Sequence, residues 1–347
     1  FNERVPTPLS GEWRRPTRAD VASVAGVSAT TVSLVLNNKG QRFPAKTAQR
    51  VRDAAQSLGY RPNRAAQSLR RGSTGTIGVI TDRIAKDAFS GSIIGGLNQG
   101  AWAHENVLLL LDATLDRTRM SVAVDTLLDH RVDALVFASI GTKQLHIPHA
   151  ARQVPLILIN AFSADEPLPC ILPDEYAGGR AAAEHLLGLG HTRIALLSGF
   201  ASSWAGQARV RGYRDAMEAH GLNIPAGYLR YGNYRFDSGY AMATAIMARP
   251  DAPTALLCGN DQMAAGAYLA LARLGLRVPE DISVVGYDNE PLAARLAPPL
   301  TTIEIPFHRM GSLATDTLLS GSELSTEPVL IDCPLVTRES TAPAPAL

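Results

Sequence analysis

The chain has 347 residues, 46% of them apolar and 19% charged, which is enough for one small domain and a larger body of two lobes. No apolar run is long enough to span a bilayer and no secretory signal pattern stands out, so a soluble cytoplasmic protein is expected. Cys170, Cys258 and Cys333 are odd in number and sit in apolar or strand-like contexts. They read as buried thiols, not as a disulfide framework or a metal site. The formal net charge of +1 hides a division: residues 1–76 hold 13 Lys or Arg against 4 Asp or Glu, net +9, and the remainder 20 against 28, net −8. A basic segment joined to an acidic body points to a polyanion partner for that segment alone.

Residues 1–16, rich in Pro and Arg, read as a disordered arm, and Phe1 in place of Met points to processing or trimming. Thr17, with Asp20 three residues on, is an N-cap with a returning carboxylate, so a helix should begin at Arg18. Gly26 marks a sharp turn. Ser28 suits the cap of a second helix, with Val27 and Val32 at the spacing of a hydrophobic staple. Val21, Val24, Val32, Val35 and Leu36 are expected to face inward, leaving Ala29, Thr30, Ser33 and Leu34 exposed. A second helix with small and hydroxyl residues at its N-terminal end has the shape that enters a major groove, though a plain helical hairpin carries the same pattern.

A third helix is expected over 46–58, with Val51, Ala54, Ala55 and Leu58 covering the first two and Gly59 ending it. Pro62 blocks its continuation, and Asn63 suits the cap of a helix of about two turns, too short to be stable alone in water. Leu69 then lies apolar in a basic stretch, as a linker residue docked on the body or as a wedge for the minor groove. Arg14, Arg15, Arg18, Lys39, Arg42, Lys46, Arg50, Arg61, Arg64, Arg70 and Arg71 are candidate phosphate contacts, giving affinity and salt dependence without sequence choice.

From Thr76 short apolar strands alternate with amphipathic helices. Strands are expected over 76–81, 106–112, 133–139, 155–161, 193–199, 228–231, 254–260 and 281–288, with helices such as 175–189, 207–219 and 262–275 between them. Repeating βα units argue for parallel sheets covered on both faces, in two similar lobes broken near Pro173. Late strands over 300–306 and 329–336 have no following unit and are expected to cross back between the lobes. Ligands of open parallel sheets sit beyond the carboxyl ends of the strands, where this chain carries Asp82, Asn160, Asn260, Asp261 and Asp288. Carboxylates and amides converging there suit a ligand with many hydroxyls. Arg209 can reach the same place, and Phe89, Trp204 and Phe307 could supply flat apolar walls. Asp261 could equally be a helix N-cap, and Trp204 a core residue.

Enzyme signatures are missing. The first body strand runs into Thr81-Asp82-Arg83 with no G-x-G-x-x-G. Gly91, Gly95, Gly96 and Gly100 fall later, inside a helix-like stretch where packing or flexibility explains them. There is no G-x-S-x-G or H-E-x-x-H, and His185 and His191 lack metal spacing.

Val21-Ala22, Ala25-Gly26-Val27-Ser28, Thr31-Val32-Ser33 and Val35-Leu36-Asn37, then Gly59-Tyr60, Pro62-Asn63 and Ala65-Ala66 with Leu69, closely resemble the lactose repressor/galactose repressor family of bacterial transcription regulators. The resemblance continues through Leu256-Leu257-Cys258-Gly259-Asn260-Asp261-Gln262-Met263-Ala264, Asp281-Ile282-Ser283-Val284-Val285-Gly286-Tyr287-Asp288 and Pro298-Pro299-Leu300-Thr301-Thr302-Ile303, and covers nearly everything from Thr17 to Ser340. It implies a small all-α helix-turn-helix DNA-binding domain with a hinge helix, then an α/β two-lobed body with parallel sheets, like that of periplasmic binding proteins, in which three crossovers form a hinge around a cleft. The expected domains are the DNA-binding domain at 17–61 (motif 18–37), hinge helix and linker at 62–75, an effector-binding and dimerisation body at 76–340, and a tail at 341–347. Within the body, lobe 1 takes about 76–173 and 304–332, and lobe 2 about 174–303 and 333–340.

Together with the exposed positions above, the expected DNA-contacting residues are Thr17, Arg18, Ser28, Ala29, Thr30, Thr31, Ser33, Leu34, Asn37, Thr47, Asn63, Arg64, Ala66 and Leu69. Ala29 and Thr30 match the positions that most determine operator choice in the family. Asn160, Arg209, Asn260, Asp288 and Phe307 match positions that line its effector pocket. The expected protein is therefore a homodimeric repressor pairing on a near-palindromic operator, since one small domain reads few base pairs, with its affinity controlled by a small effector of the sugar class. No cofactor, metal or membrane partner is expected. A solute-binding protein or a sugar-active enzyme on the same body is the alternative, and a solute-binding protein would need a signal peptide where this chain has a DNA-binding module. The chain ends at Leu347 with a Pro/Ala-rich tail and no heptad helix, so a dimer is expected, not the tetramer some family members form.

Overall fold

Two compact units divide between Thr74 and Gly75. The structure, a computed structural model, describes residues 16–39, 43–61, 72–82, 88–113, 116–321 and 324–345, with the backbone alone at 38, 39 and 88–90.

The first unit holds α1 (Arg18–Ala25), α2 (Ala29–Leu34), which runs on as a π-helical turn over Val35–Lys39, and α3 (Ala45–Ser57). Its starts and stops are made by short-range chemistry. Thr17 Oγ1 accepts the Asp20 amide at 3.3 Å while the Asp20 carboxylate accepts the Thr17 amide at 2.7 Å, so two donors with no helical partner satisfy each other's caps. Gly26 ends α1 at φ 61°, a left-handed conformation that glycine enters without a Cβ penalty. Ser28 Oγ then accepts the Thr31 amide at 3.1 Å to begin α2. The resulting bend between α1 and α2 is 106°, within the range of a helix-turn-helix. Val21, Val32 and Val51 are fully buried between the helices with Ala25, Val35, Ala48 and Ala54. Val24, expected inside, is 61% exposed. At 3.6 residues per turn the buried arc of Val21, Ala22 and Ala25 leaves position 24 roughly 110° from its centre.

The second unit contains two six-stranded sheets. The first joins β1 (Thr76–Thr81), β2 (Val107–Asp112), β3 (Ala134–Leu145), β4 (Leu156–Ser163), β5 (Cys170–Pro173) and β11 (Val329–Ile331) in the order β11-β5-β4-β3-β1-β2. The second joins β6 (Ile194–Ser198), β7 (Leu229–Tyr231), β8 (Ala255–Cys258), β9 (Ser283–Asp288), β10 (Thr301–Glu304) and β12 (Leu335–Val336) in the order β12-β10-β9-β8-β6-β7. Every pairing is parallel except β10 with β12. Helices α4 (Ala88–Ala103), α5 (Arg117–Asp129), α6 (Glu175–Gly188), α7 (Trp204–Ala219), α8 (Phe236–Met247), α9 (Asp261–Arg273) and α10 (Phe307–Leu319) lie between the strands in sequence. The chain passes between sheets after β5, again after β10, where α10 returns to pack on α4, and finally between β11 and β12.

The stretch 329–336, expected as one strand, is thus two short strands in different sheets, parted by Asp332-Cys333-Pro334. Strand β5 was not anticipated, because Pro169 and Pro173 bracket a run too short to show alternation. Strand β3 outruns its expected end at 139 through a register shift between Ala138 and Lys143.

Glycines let helices touch backbone to backbone. A Cβ on Gly96 would overlap the His308 carbonyl, and one on Gly100 would overlap the Thr315 side chain, so these two members of the α4 glycine series serve packing. Gly91, in the same helix, faces open space. The three cysteines are buried free thiols. His185 and His191 hydrogen-bond to Thr341 and to Thr254, Ser283 and the Ala342 carbonyl, holding the C-terminal segment on the second lobe.

Candidate DNA interface and effector cleft

On the first unit, Thr17, Arg18, Ser28, Ala29 and Thr30 are exposed, and Thr31, Ser33, Leu34, Asn37 and Thr47 are half-buried. Ala29 and Thr30 occupy the first turn of α2, where a groove-entering helix presents its reading positions. Several hydroxyls and amides on this face already have partners: Ser28 Oγ meets Thr31 Oγ1 at 2.9 Å, and Asn37 Nδ2 donates to Ser33 Oγ at 3.3 Å. Arg50, a candidate phosphate contact, instead donates from Nη2 to the Ala25 carbonyl at 2.6 Å. It thereby satisfies the C-terminal end of α1 and braces the turn. Asn63, Arg64, Ala66 and Leu69, with the expected hinge helix, lie outside the described residues, as does the side chain of Phe89.

In the second lobe the strand ends converge on Arg209. Ser203 caps α7 by accepting the Gly206 amide at 3.2 Å, which sets Arg209 on the helix face turned toward β8 and β9. Its Nε donates to Glu175 Oε2 at 2.7 Å, Nη2 to Glu175 Oε1 at 3.0 Å, and Nη1 to the Gly259 carbonyl at 2.5 Å. Asp288 Oδ1 lies 3.6 Å from Nη2, and the guanidinium stands 3.6 Å over the Tyr287 ring. Burial acts against the Arg209 charge, but Glu175, Tyr287 and Asp288 outweigh it and hold the guanidinium well above its ordinary value. Burial likewise pushes the Asp288 carboxyl well above the usual carboxylate range, against the pull of Arg209. Asp288 also sits at φ 104°, a strained conformation for a residue with a Cβ. Glu175 escaped the sequence reading. An acid at the first position of a helix looks like a complement to the helix dipole, and nothing local ties it to an arginine 34 positions on.

The other expected residues are placed as follows. Asp82 accepts the Ile140 amide at 3.2 Å and Lys143 Nζ at 2.6 Å. Asn160 accepts the Thr142 hydroxyl at 2.5 Å and donates to the Ile140 carbonyl at 3.0 Å, so both hold the 140–143 turn of the first lobe. Asn260 is the N-cap of α9, accepting the Met263 amide at 3.0 Å and donating to the Tyr234 carbonyl. The reading of Asp261 as that cap is therefore corrected. Asp261 points into the core and accepts the Glu290 amide at 2.7 Å and the Thr302 hydroxyl at 2.6 Å. Trp204 is 39% exposed and its ring lies 5.5 Å from that of Phe162 on β4, an aromatic contact between the two lobes.

A pocket of about 380 Å³ brings Asp288 and Phe307 together. Its other walls are Asn289 and Pro291 after β9, Glu304, Ile305 and Pro306 on the crossover, His308 and Arg309 on α10, and Ser92 on α4. That volume suits a small molecule. Arg209 reaches this pocket through Asp288 and itself borders a separate cavity of about 20 Å³. Asp82, Asn160, Trp204, Asn260 and Asp261 do not line the larger pocket. Among the described residues no group of side chains could hold a metal ion, and no single helix is long and apolar enough to cross a membrane.

Asp261 carries a testable consequence. Burial raises its carboxyl from 3.8 to about 7, with the Thr302 and Glu290 hydrogen bonds pulling the other way. A carboxyl whose folded value exceeds its unfolded value stabilises the fold fully below about pH 4, and that contribution is lost as pH rises through about 7. In Asp261→Asn the amide oxygen would accept the Glu290 N–H and the amide nitrogen would donate to Thr302. The stability of the wild type relative to this variant should therefore fall between pH 4 and pH 7, as read from urea unfolding across that interval. A pH-independent difference would show that Asp261 is charged in the folded protein throughout.

A helix-turn-helix unit followed by a two-lobed parallel α/β body with a small-molecule pocket defines a ligand-responsive DNA-binding regulator. The chain belongs to the LacI family of bacterial regulatory proteins. Residues 17–63 match the family model described as bacterial regulatory proteins, lacI family, and residues 183–341 match a periplasmic binding protein-like domain. The chain is 36% identical over 305 residues to the ribose operon repressor of Escherichia coli (strain K12), covering 87% of this chain and 92% of that protein. It is 36% identical over 303 residues to the HTH-type transcriptional repressor PurR of Vibrio vulnificus, covering 86% and 90%. The crystal structure of the lac repressor dimer bound to operator and the anti-inducer ONPF superposes with a TM-score of 0.81 at 32% identity, covering 95% of this chain and all of that one. The protein is thus a DNA-binding transcription regulator and not an enzyme, and membership of this family makes it a soluble cytoplasmic protein.

Proposed function

We propose that the protein is a repressor that binds a near-palindromic operator as a homodimer and responds to a small effector of the sugar class held between its lobes. The observation that carries the effector reading is the pocket of about 380 Å³, in which the Asp288 carboxyl offers hydrogen bonding to hydroxyls and the Phe307 ring offers a flat apolar wall. The relative named as a ribose operon repressor supports the sugar class. On the DNA side Ala29 and Thr30 read bases, helped by Leu34, while Thr17, Arg18, Ser28, Thr31, Ser33, Asn37 and Thr47 position the unit. In this reading residues 62–75 are the hinge and linker, Asn63, Arg64, Ala66 and Leu69 add DNA contacts, and the protein would be found on the nucleoid when operator is bound.

A thermal-shift screen of sugars, sugar phosphates and nucleobases on the full chain, followed by operator binding with each compound that stabilises it, tests the effector reading. A sugar that raises the melting temperature and changes operator affinity is expected, and an operator affinity indifferent to every bound compound would sink the reading. Thr30→Ala tests the DNA face. It should change the ranking of operator variants, at about 1–3 kcal/mol for the best-read position. Equal weakening on all sequences would make Thr30 a positioning residue.

A further inference from the structure

We propose that Glu175 sets the charge preference of the effector site: by saturating Arg209 it leaves this end of the cleft receptive to uncharged or cationic ligands and closed to anionic ones such as phosphate esters. The inference rests on the effector reading above and narrows it.

An arginine beside a ligand cleft is ordinarily the anchor for a phosphate or carboxylate, because its planar donor edge matches two acceptor oxygens. Here that edge is occupied. Of five N–H donors, two go to Glu175 and one to the Gly259 carbonyl, and Nη2 also faces Asp288 at 3.6 Å. One face of the guanidinium is covered by the Tyr287 ring. Glu175 is itself buried, with 2% of its side chain exposed, so water does not screen the pair. Two acidic side chains therefore flank one guanidinium, and the member of the group that lines the pocket is Asp288. In the rest of the described lining Glu304 offsets Arg309, with His308 the one other titratable group, so no excess of fixed positive charge is set there for an anion. An anion entering from the pocket would meet the Asp288 carboxyl first, with no open donor pair behind it. A hydroxyl or an ammonium would meet an acceptor.

The test uses the full chain and two kinds of probe. The first is matched pairs of a neutral sugar, its amino derivative and its phosphate ester, with melting temperature and titration calorimetry as readouts. The neutral or amino sugar should bind at least about tenfold more tightly than the ester. An ester binding as tightly as its parent sugar overturns the proposal. The second probe is inorganic phosphate, which should stabilise Glu175→Gln more than the wild type, because the variant removes the neutralising charge and frees donors on Arg209. Glu175→Asp, which keeps the charge, should keep the wild-type preference. A purely structural Glu175 would lower the melting temperature in both variants without changing which ligand is preferred, and that result, or no gain of phosphate binding in a folded Glu175→Gln protein, overturns the proposal. If Glu175→Gln fails to fold, the wild-type pairs decide alone. Binding of an uncharged nucleobase but of no sugar would refute the sugar class while leaving the charge preference standing. An anion that binds and shifts operator affinity would refute the charge preference while leaving the effector reading intact.

Discussion

Arg209→Ala should cost the folded protein about 3–5 kcal/mol, read as a fall in the midpoint of denaturant unfolding at neutral pH. Removing the guanidinium leaves two buried acidic side chains, Glu175 with 2% exposure and Asp288 with 11%, without the cation they share. The Gly259 carbonyl loses its donor at the same time. Breaking a buried pair is costly for this reason, whereas replacing both members with apolar groups of similar volume is often close to neutral. Arg209→Met combined with Glu175→Leu should therefore recover much of the loss. If Arg209→Ala cost less than about 1 kcal/mol, the two acids would have to be relieved by proton uptake or by water reaching the site, and the saturated arginine would lose its basis. The same reasoning makes Asp288→Asn the better probe of effector binding. It changes the pocket wall and keeps the Arg209–Glu175 pair, so a lost response is not confused with a lost fold.

Parts of the molecule built by contacts three or four residues apart were legible in the sequence. Thr17 with Asp20, Gly26 and Ser28 act on their own helix ends, and their chemistry is complete within one turn. The βα rhythm was equally plain, since a strand buried on both faces reads as an apolar run, as Ala255–Cys258 does throughout and Ile194–Ser198 does up to its last residue. What stayed hidden depends on partners far along the chain. Arg209 is legible as a candidate for the cleft, but its saturation by Glu175 is not. A helix-opening acid carries no sign of a bond made 34 positions away. Val24 looked like a core valine because valine type says nothing about which side of α1 meets α3. The stretch 329–336 looked like one strand because the gap between two sheets is a tertiary fact. Asn160 and Asn260 were legible as strand-end amides, but not their occupation by Ile140, Thr142, Met263 and Tyr234, which the folded loops bring to them.

Glycines in helices are the other hidden element, because in a sequence they read only as weak helix formers. Gly212→Ala should destabilise the protein by about 3 kcal/mol, while the identical change at Gly188 should be neutral or stabilising by up to about 1 kcal/mol. A Cβ at Gly212 would overlap the Tyr176 carbonyl of α6 and stand 2.6 Å from the Arg180 nitrogen. Facing it, a Cβ at Gly179 would stand 2.5 Å from the Arg209 carbonyl and 2.6 Å from its Cα. The obstructing atoms are all backbone, so no rotamer change relieves them and the two helices must separate. Gly188 lies in α6 with nothing within 4 Å of its would-be Cβ, so there the substitution only removes backbone freedom from the unfolded chain. The crossing also bears on function, since α6 carries Glu175 and α7 carries Arg209, and their spacing is set where Gly179 meets Gly212. Denaturant unfolding of the two variants side by side separates the effects. A Gly212→Ala variant as stable as Gly188→Ala would mean that α6 and α7 yield easily, and that the Glu175–Arg209 geometry is not held by their close approach.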